Sequence, residues 1–164
     1  NEFKKLALYA KKKGLIFFST PLDIQYVSLL NQIQPIFKIA SGDNNYMDLI
    51  YKVLKFSKPT IISCGLINLE EILILYKKIK SKISSKKIAF MHCISSYPAK
   101  DDQLDLDKIL EMKKILPNCL IGYSDHSIGI DACNCLQLRA CTFLHNSAIR
   151  LIICCVSLSG DSSL

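Results

Sequence analysis

The sequence predicts an α/β protein, a partial TIM (β/α)8 barrel containing strands 3 to 7 and a degraded strand 8. Short apolar runs begin near residues 15, 36, 60, 88 and 119, and helical patterns fill the intervals between them. Each run ends in small polar or ionisable residues. Continuously apolar strands are typical of a parallel sheet covered on both faces, and ligands of such sheets bind at the carboxyl ends of the strands.

The five runs place different side chains at their carboxyl ends. They are residues 16–21 (IFFSTP), 37–42 (FKIASG), 60–65 (TIISCG), 88–93 (IAFMHC) and 119–126 (CLIGYSDH). The last run ends in a particularly dense group of hydroxyl, carboxylate and imidazole side chains. If the five ends lie on one face of a barrel, they form the rim of one active site.

Three helices are predicted between the runs. The first covers Phe3–Lys13 and ends at Gly14, the residue most favoured after a helix. Asn68 caps the second helix, whose apolar residues recur at helical spacing on one face. The third covers Leu104–Leu116, and Pro117 ends it.

An open doubly wound sheet would satisfy the same alternation of strands and helices. Such a sheet concentrates its ligands at one switch point, whereas here all five strand ends carry polar groups, as barrel loops do. No Gly-x-Gly-x-x-Gly follows any run, which counts against a dinucleotide-binding fold. The barrel is therefore the favoured architecture.

Composition excludes several classes of protein. Of the 164 residues, 50% are hydrophobic and 21% charged, which predicts a globular chain that forms one domain or part of one. The net charge of +7 comes from lysines at helix ends and on helix faces, without a nucleic-acid-binding motif, so no nucleic-acid partner is expected. The longest apolar run, Leu151–Leu158, is far shorter than the roughly 20 residues that cross a membrane.

The cysteines predict the cellular compartment, and the first residue predicts how this chain relates to the natural protein. The eight cysteines are irregularly spaced and form no C-x-x-C pair, which favours reduced thiols in a cytoplasmic protein, with Cys64, Cys93 and Cys141 as small apolar residues. The chain starts at Asn1 inside a predicted helix, so we expect that the natural protein begins further upstream.

Five segments, taken together and in order, resemble the sialic acid synthase family. They are residues 18–23 (FSTPLD), 38–44 (KIASGDN), 58–65 (KPTIISCG), 92–98 (HCISSYP) and 122–130 (GYSDHSIGI), and the likeness extends from about residue 3 to Ala140. The resemblance implies a homodimeric barrel enzyme that condenses phosphoenolpyruvate with N-acetylmannosamine or a related N-acyl sugar. The products would be a nine-carbon sialic acid and phosphate, and the cofactor a divalent metal, manganese or magnesium.

The resemblance also implies a set of substrate-binding residues. Phosphoenolpyruvate is a compact trianion, so its site needs a fixed cation and several short hydrogen-bond donors. Lys38 supplies a cation at a strand end, and the other residues supply hydroxyl groups. The full set is Thr20, Lys38, Ser41, Ser63, Ser95, Tyr97 and Ser124.

Two histidines near strand ends receive different interpretations. His126 matches a metal ligand of the family, where the metal would polarise the aldehyde of the open-chain sugar. His92 lies inside an apolar run and is assigned to packing. A Cys93–His92 nucleophilic pair is not expected, because neighbours on a strand point to opposite faces.

The chain departs from the family pattern at both ends. The first two barrel strands are absent, together with an acidic residue that the family uses as general base. After the last helix the family has Glu-Lys-His, whereas here His145 is displaced by one position and lacks that context. Residues 1–146 are therefore interpreted as a partial barrel and 147–164 as an aberrant tail without family resemblance, as a frameshift would produce.

Several functional alternatives remain open. No catalytic residue is assigned, and this chain is expected to be inactive or nearly so, because the missing groups act as a unit. The sugar is not assigned, so a legionaminic or pseudaminic acid synthase fits equally well. Lys38 could instead form a Schiff base in an aldolase. The third alternative is a non-catalytic binding fragment.

Overall fold

The sheet contains five parallel strands whose spatial order follows their order along the chain. The computed structural model describes residues 2–136 and the backbone of 152–154. The strands are β1 (Phe37–Ile39), β2 (Thr60–Ser63), β3 (Ile88–His92), β4 (Leu120–Asp125) and β5 (Ile152–Cys154). A doubly wound sheet would reverse its strand order, and this one does not, which agrees with the predicted partial barrel.

Helices connect the strands, as expected of serial β/α units. They are α1 (Glu2–Lys12), α2 (Val27–Ile33), α3 (Met47–Leu54), α4 (Leu69–Ile79) and α5 (Lys108–Ile115), with further helical backbone at 131–136. The predicted cap of α4 is confirmed: Asn68 accepts a hydrogen bond from the Glu71 amide, and Glu71 accepts one from the Asn68 amide. Across the described residues, no helix is long and apolar enough to span a membrane.

The strand register sorts the side chains onto two faces. One face carries Ile39, Ile62 and Phe90, which are fully buried in the main core with residues of the helices. The opposite face carries Ile61, Ala89 and Met91, which form a smaller cluster with Phe18. Paired residues of neighbouring parallel strands project from the same face of the sheet, so the register decides which face each strand residue occupies.

The predicted strand at the first apolar run is wrong. Residues 15–20 form neither helix nor strand, and Leu15 and Ile16 are about two-thirds exposed, at 66% and 67%. Instead, the side chain of Gln34 binds the backbone of Ser19, with Oε1 accepting from the amide and Nε2 donating to the carbonyl. The backbone N–H and C=O of Ser19, the residue before Thr20, are therefore hydrogen-bonded to a side chain and not to a neighbouring strand.

The third predicted helix is shorter than the apolar pattern suggests. Asp101–Gln103 forms a separate short 3-10 turn, and α5 begins only at Lys108. Between them, Asp105 has a positive φ of 42°, which interrupts the helical backbone. The predicted end before Pro117 is confirmed, because the last residue of α5 is Ile115.

Candidate functional site

A cleft of about 210 Å³ lies at the carboxyl ends of the first four strands. Its lining residues come from the segments that follow β1, β2, β3 and β4. They are Lys38, Ala40, Ser41, Gly42, Ser63, Leu66, Cys93, Ser95, Tyr97 and His126. Six of the eight residues predicted for substrate or metal binding are in this set. The ends of β1 to β4 therefore meet on one face, whereas the fifth predicted strand end, in residues 16–21, does not belong to the sheet.

Strand register explains why these particular side chains reach the cleft. Lys38 pairs with Ile61, two residues before Ser63, and Ser63 pairs with Met91, two residues before Cys93. Since side chains alternate along a strand, Lys38, Ser63 and Cys93 project from the same face. Lys38 is half-buried and brings a positive charge to the cleft.

A side chain at Gly65 would collide with two neighbouring side chains of the cleft. A Cβ on Gly65 would lie 2.5 Å from Ser95 Oγ and 2.8 Å from Cys93 Sγ. The Gly65 amide donates to Ser41 Oγ at 3.1 Å, and Ser41 Oγ lies 3.3 Å from Cys93 Sγ. These close contacts tie together the segments after β1, β2 and β3 into what we call the cleft floor, formed by Ser41, Gly65, Cys93 and Ser95.

His126 is held at both ring nitrogens. Its Nδ1 is hydrogen-bonded to the carbonyl of Ile94, which can only accept, so Nδ1 carries the hydrogen. Its Nε2 therefore has the lone pair and lies 3.3 Å from both the Tyr97 hydroxyl and Ser124 Oγ. The Tyr97 ring stacks on the imidazole with centroids 4.2 Å apart. Ser124 thus contacts Nε2 of His126 and is not among the residues that line the cleft.

This arrangement fits one metal ligand. A metal-binding histidine typically donates its second ring N–H to a carbonyl or carboxylate, as Nδ1 of His126 does with Ile94. The described part of the chain contains no group of three histidine, cysteine or acidic residues that could hold a metal ion. His145, the displaced family histidine, lies outside the described residues. The described residues therefore offer His126 Nε2 as a single ligand.

Asp125 supports the loop that carries His126. Its Oδ1 accepts from the amide and hydroxyl of Ser127 at 2.9 and 2.7 Å, and its Oδ2 accepts from Cys133 Sγ at 3.2 Å. Burial alone would raise the pKa of Asp125, but these hydrogen bonds stabilise the carboxylate and lower the pKa below its ordinary value. The carboxylate is committed to this loop and does not line the cleft.

His92 lies on the other face of β3. It is 1% exposed, its Nε2 is 2.7 Å from the Leu104 carbonyl, and its ring packs against Tyr123. Burial lowers the pKa of His92, which favours the neutral imidazole. This environment agrees with a packing role and keeps His92 away from Cys93, as predicted from strand alternation.

Sequence reasoning missed part of the cleft and included two residues that do not line it, Thr20 and Ser124. Thr20 does not line the cleft, because the segment 15–20 is not a strand of the sheet. Cys93, assigned only as a small apolar residue, is buried as expected but also lines the cleft and contacts Ser41. Side-chain alternation could have indicated this, because Cys93 lies two residues after Met91 and so projects from the same face of β3. Cys141 lies outside the described residues.

Comparison with known proteins decides the family. The sequence profile of the NeuB family matches residues 1–140. This chain belongs to the NeuB family. Its relatives include an N-acetylneuraminate-9-phosphate synthase from Mus musculus, 31% identical over 131 residues, which cover 79% of this chain and 36% of the relative. The resemblance to sialic acid synthases is thereby confirmed.

Other relatives are named for a different product or are uncharacterized. The N,N'-diacetyllegionaminic acid synthase of Campylobacter jejuni is 37% identical over 129 residues, covering 77% of this chain and 38% of that protein. An uncharacterized protein of Methanocaldococcus jannaschii is 44% identical over 130 residues, covering 79% of this chain and 38% of that protein. The chain thus spans well under half the length of these relatives.

Solved structures of other proteins share the fold. The sialic acid synthetase of Leptospira borgpetersenii, crystallised in complex with citrate, superposes with a TM-score of 0.71 at 32% identity, over 79% of this chain and 46% of that one. A truncated 3-deoxy-D-arabino-heptulosonate 7-phosphate synthase of Thermotoga maritima superposes with a TM-score of 0.68 at 19% identity, over 85% of this chain and 55% of that one. The second likeness concerns the fold alone.

Proposed function

We propose that this chain forms the phosphoenolpyruvate-binding part of a sialic-acid-type synthase. The reaction would join C3 of phosphoenolpyruvate to the aldehyde carbon of N-acetylmannosamine or a related N-acyl sugar, consume one water molecule and release phosphate. Relatives named as N-acetylneuraminate-9-phosphate, legionaminic acid and pseudaminic acid synthases support this reaction class. The sugar itself is left open, because these relatives use different ones.

The observation that carries the proposal is the composition of the cleft. It combines the ammonium group of Lys38 with the hydroxyls of Ser41, Ser63 and Ser95. A cation surrounded by short donors is suited to a small carboxylate and phosphate ligand. A volume of about 210 Å³ is also below the roughly 300–1,000 Å³ typical of sites for drug-sized ligands. The cleft therefore suits phosphoenolpyruvate better than a nine-carbon sugar.

The metal part of the proposal concerns His126. Its Nε2 would be one ligand of a manganese or magnesium ion, which when bound supplies Lewis acidity toward the sugar aldehyde. Ile94 fixes the tautomer that leaves this nitrogen unprotonated. Tyr97 is exposed at the edge of the cleft, where the sugar would approach the bound phosphoenolpyruvate. The described residues suggest no general base for the reaction.

Calorimetric titration with phosphoenolpyruvate tests the first half of the proposal. We expect the chain to bind it, and Lys38→Ala to weaken binding at least tenfold, because a charge-assisted contact is lost. Lys77→Ala is the matched control, since it removes the same charge from an exposed position on α4. Equal binding by both variants, or no binding by the unaltered chain, would reject the proposal.

Phosphate release tests the reaction itself. Release from phosphoenolpyruvate with N-acetylmannosamine and manganese is measured for this chain and for a chimera in which residues 1–140 replace the matching segment of a full-length relative. We expect turnover by the chimera that His126→Ala abolishes. Borohydride trapping with pyruvate provides the contrast, because a covalent adduct at Lys38 would favour an aldolase instead.

A further inference from the structure

The cleft floor contains a thiol at hydrogen-bond distance from a predicted substrate ligand. Cys93 Sγ lies 3.3 Å from Ser41 Oγ, and the Cys93 side chain is only 2% exposed. The Gly65 amide donates to the same Ser41 oxygen at 3.1 Å. Ser41 Oγ therefore has two protein partners, the Gly65 amide after β2 and the Cys93 thiol after β3.

Counting donors and acceptors gives this contact a direction when an anion is bound. A serine hydroxyl has one hydrogen and two lone pairs, and the Gly65 amide occupies one lone pair. If the Ser41 hydroxyl donated its hydrogen to Cys93, Ser41 Oγ would present only its second lone pair to the cleft. That lone pair would repel a bound anion. If the Cys93 thiol donates instead, both lone pairs of Ser41 are occupied, and its hydrogen is available to the ligand.

We propose that Cys93 is a positioning residue for anion binding: its S–H donates to Ser41 Oγ and commits the Ser41 hydroxyl hydrogen to the bound carboxylate or phosphate. The inference rests on the proposed function, since it concerns the same cleft. The tight packing around Cys93 supports it, because Sγ also lies 2.8 Å from where a Cβ of Gly65 would be. The thiol is thereby confined beside Ser41.

A double-mutant cycle tests whether Cys93 acts through Ser41. Phosphoenolpyruvate is titrated calorimetrically into the full chain and into the Ser41→Ala, Cys93→Ala and double variants. We expect Cys93→Ala to weaken binding about three- to tenfold, the effect of one hydrogen bond. The double variant should bind as Ser41→Ala does, because Cys93 has nothing left to position. Multiplied effects in the double variant would overturn the proposal.

Two further variants separate positioning from loss of packing. Cys93→Ser keeps a donor at this place and should bind within about threefold of the unaltered chain. Cys119→Ala removes another buried thiol, which is 2% exposed and precedes β4, at the end of the strand away from the cleft. This variant should leave binding unchanged. If Cys93→Ser weakened binding as much as Cys93→Ala, the thiol would be a packing group and the proposal would be wrong.

A measurement without ligand keeps this inference distinct from the proposed function. The nitrogen-15 and proton shifts of the Gly65 amide report its hydrogen bond to Ser41 Oγ. We expect Cys93→Ala to move this amide signal toward its position in Ser41→Ala, and Cys93→Ser to move it back. A Gly65 signal unaffected by Cys93→Ala would overturn the inference. Failure of the unaltered chain to bind phosphoenolpyruvate would instead reject the proposed function.

Discussion

The Tyr97 ring stacks on the His126 imidazole with centroids 4.2 Å apart, and its hydroxyl lies 3.3 Å from Nε2. Because Nδ1 carries the hydrogen that binds the Ile94 carbonyl, Nε2 is the nitrogen left to accept. The Tyr97 hydroxyl therefore lies beside the nitrogen at which a metal would bind. Stacking and hydroxyl contact can be separated by mutation, which leads to the first prediction.

Manganese should bind at His126 and compete with the Tyr97 hydroxyl. We expect calorimetry to show Mn²⁺ binding that His126→Ala removes and His92→Gln retains, because His92 is 1% exposed and its Nε2 is bonded to Leu104. Tyr97→Phe keeps the ring but removes one of the two hydroxyls near Nε2, and should tighten Mn²⁺ binding about two- to tenfold. Mn²⁺ binding that survives in His126→Ala would contradict this prediction.

A methyl group at Gly65 should disrupt the cleft floor. Gly65→Ala places a Cβ within 2.8 Å of Ser95 Oγ and Cys93 Sγ, so neighbouring groups must move. We expect a loss of about 1–3 kcal/mol in the free energy of unfolding and a severe loss of phosphoenolpyruvate binding. Urea denaturation and calorimetry measure the two effects.

Gly42→Ala is the matched control for this change. Gly42 lines the same cleft, but an added Cβ meets no atom within 4 Å. Its stability should remain within about 0.5 kcal/mol of the unaltered chain. Similar destabilisation by both substitutions would show that the contacts of Gly65 are not the cause.

The buried His92 should make the chain acid-sensitive below pH 6.5. Burial lowers its pKa from the ordinary 6.5, so the unfolded chain takes up a proton before the folded chain does. The free energy of unfolding should therefore fall as the pH drops below 6.5, by at most about 1.4 kcal/mol per pH unit. Urea denaturation between pH 7.5 and 5 measures this slope.

Two histidine variants locate the origin of the slope. His92→Gln removes the buried imidazole and should flatten the pH dependence, even if stability at neutral pH falls. His126→Gln should still lose stability below pH 6.5, because His92 is still present. The carboxylate of Asp125 does not interfere in this range, since its lowered pKa confines its effect to more acidic solutions. A steep slope that survives in His92→Gln would refute the assignment.

The Gln34 side chain should control the segment that carries Thr20. Its amide makes two hydrogen bonds to the Ser19 backbone, at 2.8 and 3.1 Å, and it is 3% exposed. Gln34→Ala should destabilise the chain by about 1–3 kcal/mol and accelerate hydrogen exchange of the Ser19 amide. Gln25→Ala, which removes an exposed amide bonded to Asp23, should do neither. Unchanged exchange at Ser19 in Gln34→Ala would contradict this role.

The errors of sequence interpretation arise where a local pattern needs a distant partner. Residues 15–18 have the apolar character of a strand, but a strand exists only when a neighbour completes its ladder. In the structure, Phe18 packs against the cluster of Ile61, Ala89 and Met91. The backbone of Ser19 is hydrogen-bonded to the Gln34 side chain instead of to a neighbouring strand. The predicted helix from Leu104 failed for a related reason, since apolar spacing does not reveal the positive φ at Asp105.

The sequence by itself determined the strands β1 to β4, the helices α1 and α4, the end of α5, and the polar residues at the strand ends, because periodicity, caps and breakers are local properties. Only the tertiary structure decided which polar residues meet. Register places Lys38, Ser63 and Cys93 on one face and His92 on the other. Asp125 turns to its own loop because Ser127 and Cys133 satisfy it there. These outcomes depend on pairing between segments distant in the chain, which one-dimensional spacing does not specify.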